Sequence, residues 1–488
     1  MMNQKETIEG PKPHEIATEV MAAARFVSFL DDDELWIERE GVLEPDGDKR
    51  VKAAVEKTVP DASDHFKNEV IAHIRDRTRQ DRAKVDSESW PFLGVKNGVI
   101  DVRDTPPVFY SFEEFKHLFP SSFIFNKLPV EFRVGAKAPK FLKFLKELTP
   151  NHDDQIRLLD QFASILDRRP DRKQRCLMLV GPPDSGKTTF LNVEAALVGP
   201  KNLSAVPLQS LTDGTDRFAT AALYGKMLNA CGDLGEIPLK ILGPFKDLTG
   251  GSVIRAQRKG RDSFEFHNHA KLHFAANVPP GVKSITDTAF WSRWDYIETN
   301  RRGEINPDLL NELTDPREMS GLLNILLGIL ARQIRTGHFY FAPSPEETQA
   351  AWLGEAEPAR RFLIESVIVD PNGKIPRRLL TAAWESWRAA HNAGRISNTR
   401  LNELVSDQFK ARPGQAWFNG KNAKAWLGIK IKDGNNFNLT DFAPTTLTDS
   451  TNSLCFFEKD KKIKDISEKS VKAVRDGLNS LFNGGVYL

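Results

Sequence analysis

The order of apolar and polar positions divides the chain into segments of different character. In "HEIATEVMAAARFVSFL" (14–30) apolar residues recur at helical spacing, whereas "ELWIEREGVL" (34–43) alternates like a short strand pair. "VKAAVEKTVPDASDHFKNEVIAHIRDRT" (51–78) reads as two helices broken at Pro60, since proline has no amide hydrogen for the helical ladder. In "PFLGVKNGVIDV" (91–102) Asn97-Gly98 stands between two apolar runs, and this dipeptide suits the positive φ angles of a tight hairpin. Amphipathic helices are predicted over 138–150 and 153–166. From 170 to 300, short apolar runs alternate with helices and loops, the pattern of an α/β nucleotide-binding core. "MSGLLNILLGILARQIRTG" (319–337) reads as one helix stopped by Gly337. "HFYFAPSPEETQA" (338–350) reads as a linker, and 358–432 as three helices and a terminal hairpin. The tail 433–488 is polar in stretches with one late helix over 467–482.

Composition narrows the class. The 488 residues suffice for two to four domains of ~100–200 residues each, and 40% hydrophobic with 27% charged residues is ordinary for a soluble globular chain. The net charge of +2 hides an asymmetry: 358–432 holds fourteen Lys or Arg against five Asp or Glu, a surplus of nine, so the remainder carries −7. A basic module on a mildly acidic body suggests a polyanion contact at that end. Cys176, Cys231 and Cys455 are odd in number and far apart, which suits neither a disulfide framework nor a zinc site. The first fifteen residues have no apolar signal core, and the apolar run 321–330 falls short of the ~20 residues a bilayer needs. A reducing, cytoplasmic compartment and no membrane partner are expected.

The chemistry concentrates after residue 177. "LMLVGPPDSGKTTFLN" (177–192) has Gly181, four residues, Gly186, Lys187 and Thr188 between a strand-like and a helix-like run. The glycines let backbone amides of Gly181, Pro182, Pro183, Asp184, Ser185, Gly186, Lys187, Thr188 and Thr189 form a phosphate cradle, less the two prolines, which donate nothing. Lys187 is placed to reach the β- and γ-phosphates of ATP, and Thr188 to hold Mg²⁺. "GKMLNACGDLGE" (225–236) offers Asp233 as the metal-holding acid beyond an apolar run, and Glu236 to polarise the attacking water; the bland alternative makes both loop carboxylates. In "KLHFAANVPP" (271–280) Asn277 ends a strand, where an amide can bond the γ-phosphate or the water, although Asn before Pro also forms turns. Arg293 in "AFWSRWDYIE" can stabilise phosphoryl charge across a subunit boundary, or else lie between Trp291 and Trp294. Between acid and amide, 245–266 reads as a hairpin with core Val253, Ile254, Phe264 and Phe266 and a basic tip of Arg258, Lys259 and Arg261. Such a tip suits a phosphate backbone; a solvated hairpin end is the alternative.

In that order, these motifs resemble a superfamily 3 helicase of the AAA+ class, within the phage, plasmid and poxvirus primase–helicase family. "FLGVKNGVIDV" and "LPVEFRVGAKAPKFLKFLKEL" are similar to the segment that precedes the helicase core in that family, and 358–432 is similar to its winged-helix end. The resemblance implies an α/β fold with a pre-helicase domain over 1–135, an AAA+ P-loop core over 136–340, a winged-helix DNA-binding domain over 341–432 and a tail of unassigned role over 433–488. It implies that Lys187 and Thr188 bind ATP and Mg²⁺, Asp233 is the Walker B acid, Asn277 is sensor 1, Arg293 is the arginine finger, and Arg258 and Lys259 belong to a DNA-tracking hairpin. Relatives often carry Glu or paired acids at the Asp233 position, so Asp233 and Glu236 both stay open as catalytic base. They also often carry a primase domain in front, so primer synthesis by this polypeptide is not expected, and a separate primase or polymerase partner is. The expected function is an ATP-driven helicase on single-stranded or forked DNA, acting as a hexameric ring in virus or plasmid replication, in the host cytoplasm if viral. The rivals are an initiator or loader that binds ATP and DNA without unwinding, and a small-molecule kinase.

Overall fold

The apolar runs between 170 and 300 become five parallel strands of one sheet. These are β1 Cys176–Val180, β2 Leu203–Ser204, β3 Leu228–Cys231, β4 Lys271–Ala276 and β5 Trp294–Glu298, in the spatial order β5-β1-β4-β3-β2. The computed structural model describes residues 11–432 apart from 31–33, 105, 170–174, 213–215, 236, 261–262, 283–285, 301–305, 392 and 419; the helix expected over 467–482 lies outside the described residues. Two compact units result, one running to Glu365 and including Trp384–Arg412, the other built from Ser366–Ala383 and the chain from Pro413.

Both faces of the sheet are covered, which is why its strands read as unbroken apolar runs rather than alternating ones. Leu177, Leu179 and Ile297 pack on one face with Phe162, Phe190 and Leu326. Met178, Phe274 and Trp294 pack on the other with Phe290, Trp291 and Trp352. Each such side chain contributes about 1.5–3 kcal/mol by leaving water. On the second face Phe245 stacks flat on Trp294, with ring centroids 5.0 Å apart, and the Trp352 indole donates to the Pro280 carbonyl at 2.8 Å.

Trp352 lies two residues past the segment 338–350 that is expected to be a linker. In fact 345–356 is a helix, Pro345–Ala356, entered through a capping box in which Ser344 and Glu347 satisfy each other's backbone amides. Pro345 sits at the first helical position, where its missing amide hydrogen costs nothing, so it starts the helix rather than breaking it. A second departure is the strand Val367–Pro376, which joins the expected hairpin (Arg412–Phe418 and Lys421–Ile431) as a third strand. Its "DPNG" centre reads as a turn; the strand accommodates it by a register shift between Val369 and Lys374.

Upstream, the helices Gly47–Thr58 and Asp64–Thr78 flank Pro60 as expected, and Ser63 caps the second by accepting from the Phe66 amide. They pack with Pro13–Ala23 on a four-stranded sheet through Val51, Val55, Val70 and Ile74. The expected hairpin joins Phe92–Val95 to Gly98–Asp101, but its two loop residues are Lys96 and Asn97, one position earlier than expected, and neither they nor Gly98 take the positive φ that the dipeptide suggests. The Asn97 side chain also donates to the Phe132 carbonyl and accepts from its amide, at 3.0 and 2.9 Å, tying the hairpin to the segment that enters the core.

The helix Pro316–Thr336 starts one turn before the expected position, at the Asp315 cap, and ends at Gly337 with φ +76°. Midway, Gly321 lies so close to the chain that a Cβ would stand 2.1 Å from the Lys137 carbonyl carbon and 2.2 Å from its oxygen. Alanine normally gains about 1 kcal/mol over glycine inside a helix. Here Gly321→Ala is expected to lose about 1–3 kcal/mol, because backbone must shift. The check is the urea midpoint: a lower value at unchanged m supports the close approach, and a higher one overturns it.

Candidate nucleotide site

Strand β1 ends at Val180, and the chain turns through 181–186 into the helix Lys187–Val198. The turn needs left-handed backbone at Asp184 (φ +61°) and Gly186 (φ +93°). Gly181 is required for a different reason: a Cβ there would meet the Thr299 carbonyl oxygen at 2.3 Å and its hydroxyl at 2.5 Å. Thr299, just past β5, braces the loop. Its amide donates to the Val180 carbonyl at 2.7 Å, and its hydroxyl lies 2.7 Å from Ser185 Oγ. Nothing in the local sequence marks Thr299, because its role follows from β5 pairing beside β1.

Lys187 is buried, 6% exposed. Its Nζ donates to the carbonyls of Gly181 and Pro182, both at 2.8 Å, and lies 3.1 Å from Asn277 Oδ1 and 3.3 Å from Ser185 Oγ. Burial lowers the Lys187 pKa, while the fields of Asp233 and Asp184 oppose that shift. Pro182, Pro183, Asp184 and Thr188 are exposed, and Thr189 is half-buried. The amides at this helix start and a cation beneath them form an anion cradle open to solvent.

Asp233 and Asn277 lie beyond the carboxyl ends of β3 and β4, on the same edge of the sheet as the loop. Asp233 is exposed in a left-handed conformation (φ +52°), and the next residue ties back to β4 through its amide and the Ala275 carbonyl. The structure thus brings Lys187, Asn277 and Asp233 to one edge. Thr188 and Asp233 present the hard oxygen donors that suit Mg²⁺. Glu236 lies outside the described residues.

Arg293 is at the opposite edge. Its carbonyl accepts from the amide of Cys176, the first residue of β1, while the loop follows the last. Its guanidinium donates to Thr249 Oγ1 at 2.8 Å and to the Ala289 carbonyl. At ~3.3 Å per residue the length of β1 separates the two edges by roughly 16 Å. Arg293 therefore does not reach a phosphate held by its own loop. Trp291 and Trp294, its neighbours, are spent in the aromatic core.

The hairpin pairs Val253–Gln257 with Ser263–His267. Ile254 faces Phe266 and Ala256 faces Phe264 on its inner side. Val253, expected in the core, is 54% exposed because it shares register with His267 on the outer face. Of the tip cations, Arg258 pairs with Glu34 and lies over the rings of Tyr224 and Phe264 at 5.2 and 4.8 Å. Lys259 is exposed, and Arg261 lies outside the described residues. In the second unit Trp417 is 72% exposed, whereas Trp426 is buried beneath Arg377 at 4.6 Å.

One buried pair connects the loop helix to β4. Glu194 and His273 are both 0% exposed, and His273 Nδ1 lies 2.9 Å from each Glu194 oxygen. Burial raises the Glu194 pKa, and His273 opposes that rise. The only signal in sequence is a lone polar residue inside each of two apolar runs. Glu194→Leu alone is expected to cost about 3–5 kcal/mol by stranding its partner, with much of that recovered in Glu194→Leu/His273→Leu. Urea unfolding of the single and double variants measures it; additive losses would refute the pairing.

A model of a family of unknown function, DUF5906, matches residues 179–293, from the end of β1 to Arg293. No curated protein matches the chain. Among solved structures, an apo structure of the NrS-1 C-terminal region is 12% identical with a TM-score of 0.49, covering 86% of this chain and 100% of its own. An A-form apo structure of the same region has 12% identity and a TM-score of 0.48 at the same coverage. Among the described residues no helix is long and apolar enough to cross a membrane, and no three His, Cys, Asp or Glu side chains cluster so as to hold a metal by themselves.

Proposed function

We propose that this chain is an ATP-dependent DNA helicase of a virus or plasmid replication system, working as a ring with ATP sites between subunits. The reading makes 136–340 an AAA+ core and the 358–432 region a winged-helix module. The observation that carries it is the division of groups between the two edges of one parallel sheet. Lys187, Asn277 and Asp233 gather at one edge, and Arg293 stands at the other. A chain so built completes its site only by placing the Arg293 edge against the loop edge of the next copy. Such head-to-tail contact gives a ring when the rotation between copies closes, which is the arrangement proposed.

ATP binds with its phosphates in the 181–189 cradle and Lys187 against the β- and γ-oxygens. Asn277 orients a water; its oxygen attacks the γ-phosphorus as the bond to the β–γ bridging oxygen breaks, releasing ADP and phosphate. Asp233 or Glu236 accepts the proton of that water. Thr188 and Asp233 would hold Mg²⁺, which would supply neutralisation of the phosphate charge. Arg293 from the neighbour stabilises the transferring phosphoryl group, worth ~10³–10⁵ in rate. Single-stranded or forked DNA is the polyanion, and a separate primase or polymerase is the expected partner.

One observation favours the initiator or loader reading. Arg258 is held by Glu34 from the N-terminal region, which anchors the hairpin that a translocating motor moves. Strand displacement on a forked substrate decides between the two: DNA-stimulated ATP hydrolysis without displacement selects the loader.

Arg293→Ala is expected to bind ATP normally and to lose hydrolysis about 10³-fold or more, and Lys187→Ala to lose ATP binding. Mixed in equal amounts, the two inactive variants restore about a quarter of the interfaces, each with an intact loop facing an intact arginine. Steady-state ATPase assays of the mixture read this directly. A mixture as inactive as its parts would place the arginine's role within its own subunit.

A further inference from the structure

A cavity of about 830 Å³ lies in the first unit, away from the phosphate loop. Four stretches wall it: the hairpin segment 39–46, the strip 125–129, the turn 198–202 after the loop helix, and the turn 224–226 before β3. Its lining carries eight Lys or Arg against three Asp or Glu. Most of the cations are already paired: Arg39 and Lys201 with Glu44, Arg50 with Asp46, Lys96 with Glu131, Arg258 with Glu34. Three take no carboxylate as an ion-pair partner among the described residues. Lys127 Nζ donates to the Glu40 carbonyl at 2.9 Å, Lys226 Nζ to the Lys201 carbonyl at 2.7 Å, and Arg168 lies over the Phe125 ring at 4.7 Å.

These three groups are half-buried, and burial lowers the pKa of both Lys226 and Arg168. Partly desolvated cations with no carboxylate in direct ion-pair contact gain from an anion in the same space, although the more distant Asp86 partly offsets the charge of Arg168. Inorganic phosphate would leave most of the volume empty, whereas cavities of this size hold organic ligands of drug-like dimensions. The lining also supplies a ring: Tyr224 is fixed edge-on against Trp36, Phe264 and Phe266, with centroids 6.5, 5.1 and 5.4 Å away. Cations beside a rigid aromatic ring are the pairing that recognises a phosphate together with a base.

We propose that this cavity is a second nucleotide-recognition site, which takes a nucleoside phosphate with its phosphate on Lys127, Lys226 and Arg168 and its base against Tyr224. The nucleotide comes either from an unpaired strand or from free solution. Such a site rests on the nucleic-acid part of the proposed function and makes no use of the ATP cradle. The turn 198–202 follows the helix whose first residue is Lys187, and twelve residues at ~1.5 Å each set the two sites roughly 18 Å apart.

The test uses the full chain and a fluorescein-labelled oligothymidylate of about fifteen residues, followed by anisotropy across a salt series. Lys127→Ala/Lys226→Ala is expected to weaken binding about tenfold or more and to flatten the slope of log K against log salt by roughly 0.7, the value for the one phosphate no longer neutralised. The matching double Lys→Arg variant retains both. Lys187→Ala retains strand binding, so failure of the ATP-site reading leaves this result standing. A fluorescent ATP analogue bound by Lys187→Ala, and released by the triple alanine variant, would identify free nucleotide as the occupant; weakened binding of the oligonucleotide alone would identify the strand. Both probes binding the double alanine variant with parental affinity and slope would overturn the proposal. The unmodified protein gives a check independent of folding. Photocrosslinking with 4-thiothymidine, in the strand and as the free nucleoside triphosphate, is expected to label peptides containing Phe125–Pro129 or Tyr224–Lys226 with at least one of the two probes, and labelling by both confined to other segments also overturns it.

Discussion

The Lys187 ammonium organises the site around it. It is drawn down among two loop carbonyls and the Asn277 amide oxygen. A buried cation is tolerable only when its donors find acceptors, so the loop must curl over it, and the curl demands the left-handed backbone at Asp184 and Gly186. The Asn277 contact exists because β4 pairs directly beside β1 and delivers the residue after its last strand position to the loop. Thr299 can brace Ser185 because β5 pairs on the other side. The cradle is therefore a product of three neighbouring strands. A substitution that disturbs their register is felt at the lysine even if it touches no loop residue.

The parallel sheet imposes a second constraint. All carboxyl ends lie on one edge and all amino ends on the other, so chemistry carried just before β5 cannot meet chemistry carried just after β1. The edges differ in character as well as position. At the amino edge Asp295 is 1% exposed and held by Arg157 and Arg175 at 3.2 and 3.0 Å, a rigid charged network that fixes where Arg293 emerges. At the carboxyl edge Asp233, Asn277 and Thr188 are exposed. One edge is closed by buried ion pairs, and the other leaves its polar side chains open to solvent.

Much of this is legible in the sequence, for identifiable reasons. Loop, acid and amide each follow the end of an apolar run, where a strand stops and a side chain is released to the edge, and the arginine stands just before the start of another. The Pro60 break and the Gly337 stop follow from backbone chemistry alone, whereas the hairpin near Asn97 turns one residue earlier than its Asn-Gly dipeptide suggests. What stays hidden depends on partners far along the chain. Thr299 and the Glu194–His273 pair gain meaning only once β1, β4 and β5 are side by side. Gly321 reads as a weak spot in a helix until Lys137 is brought against it. The departures at 345–356 and 367–376 share one cause: Pro345 and Pro371 read as breaks, although one starts a helix and the other sits in an irregular strand.

The hairpin tip shows why a charge count does not locate a nucleic-acid contact. Three cations close together suggest a surface that grips phosphate. Yet Arg258 has its charge on Glu34 and its plane on Tyr224 and Phe264, which leaves it as a strut between hairpin and N-terminal region. The same packing that takes Arg258 out of service fixes the Tyr224 ring in place. Two residues on from that ring, Lys226 is held half-buried by a carbonyl, with no carboxylate paired to it among the described residues. Cations satisfied by carboxylates are structural, and those satisfied only by carbonyls or rings keep a net field for something else. On that criterion Arg258 drops out of the polyanion contact expected at the tip, and the cavity wall joins the surfaces on which we propose such a contact.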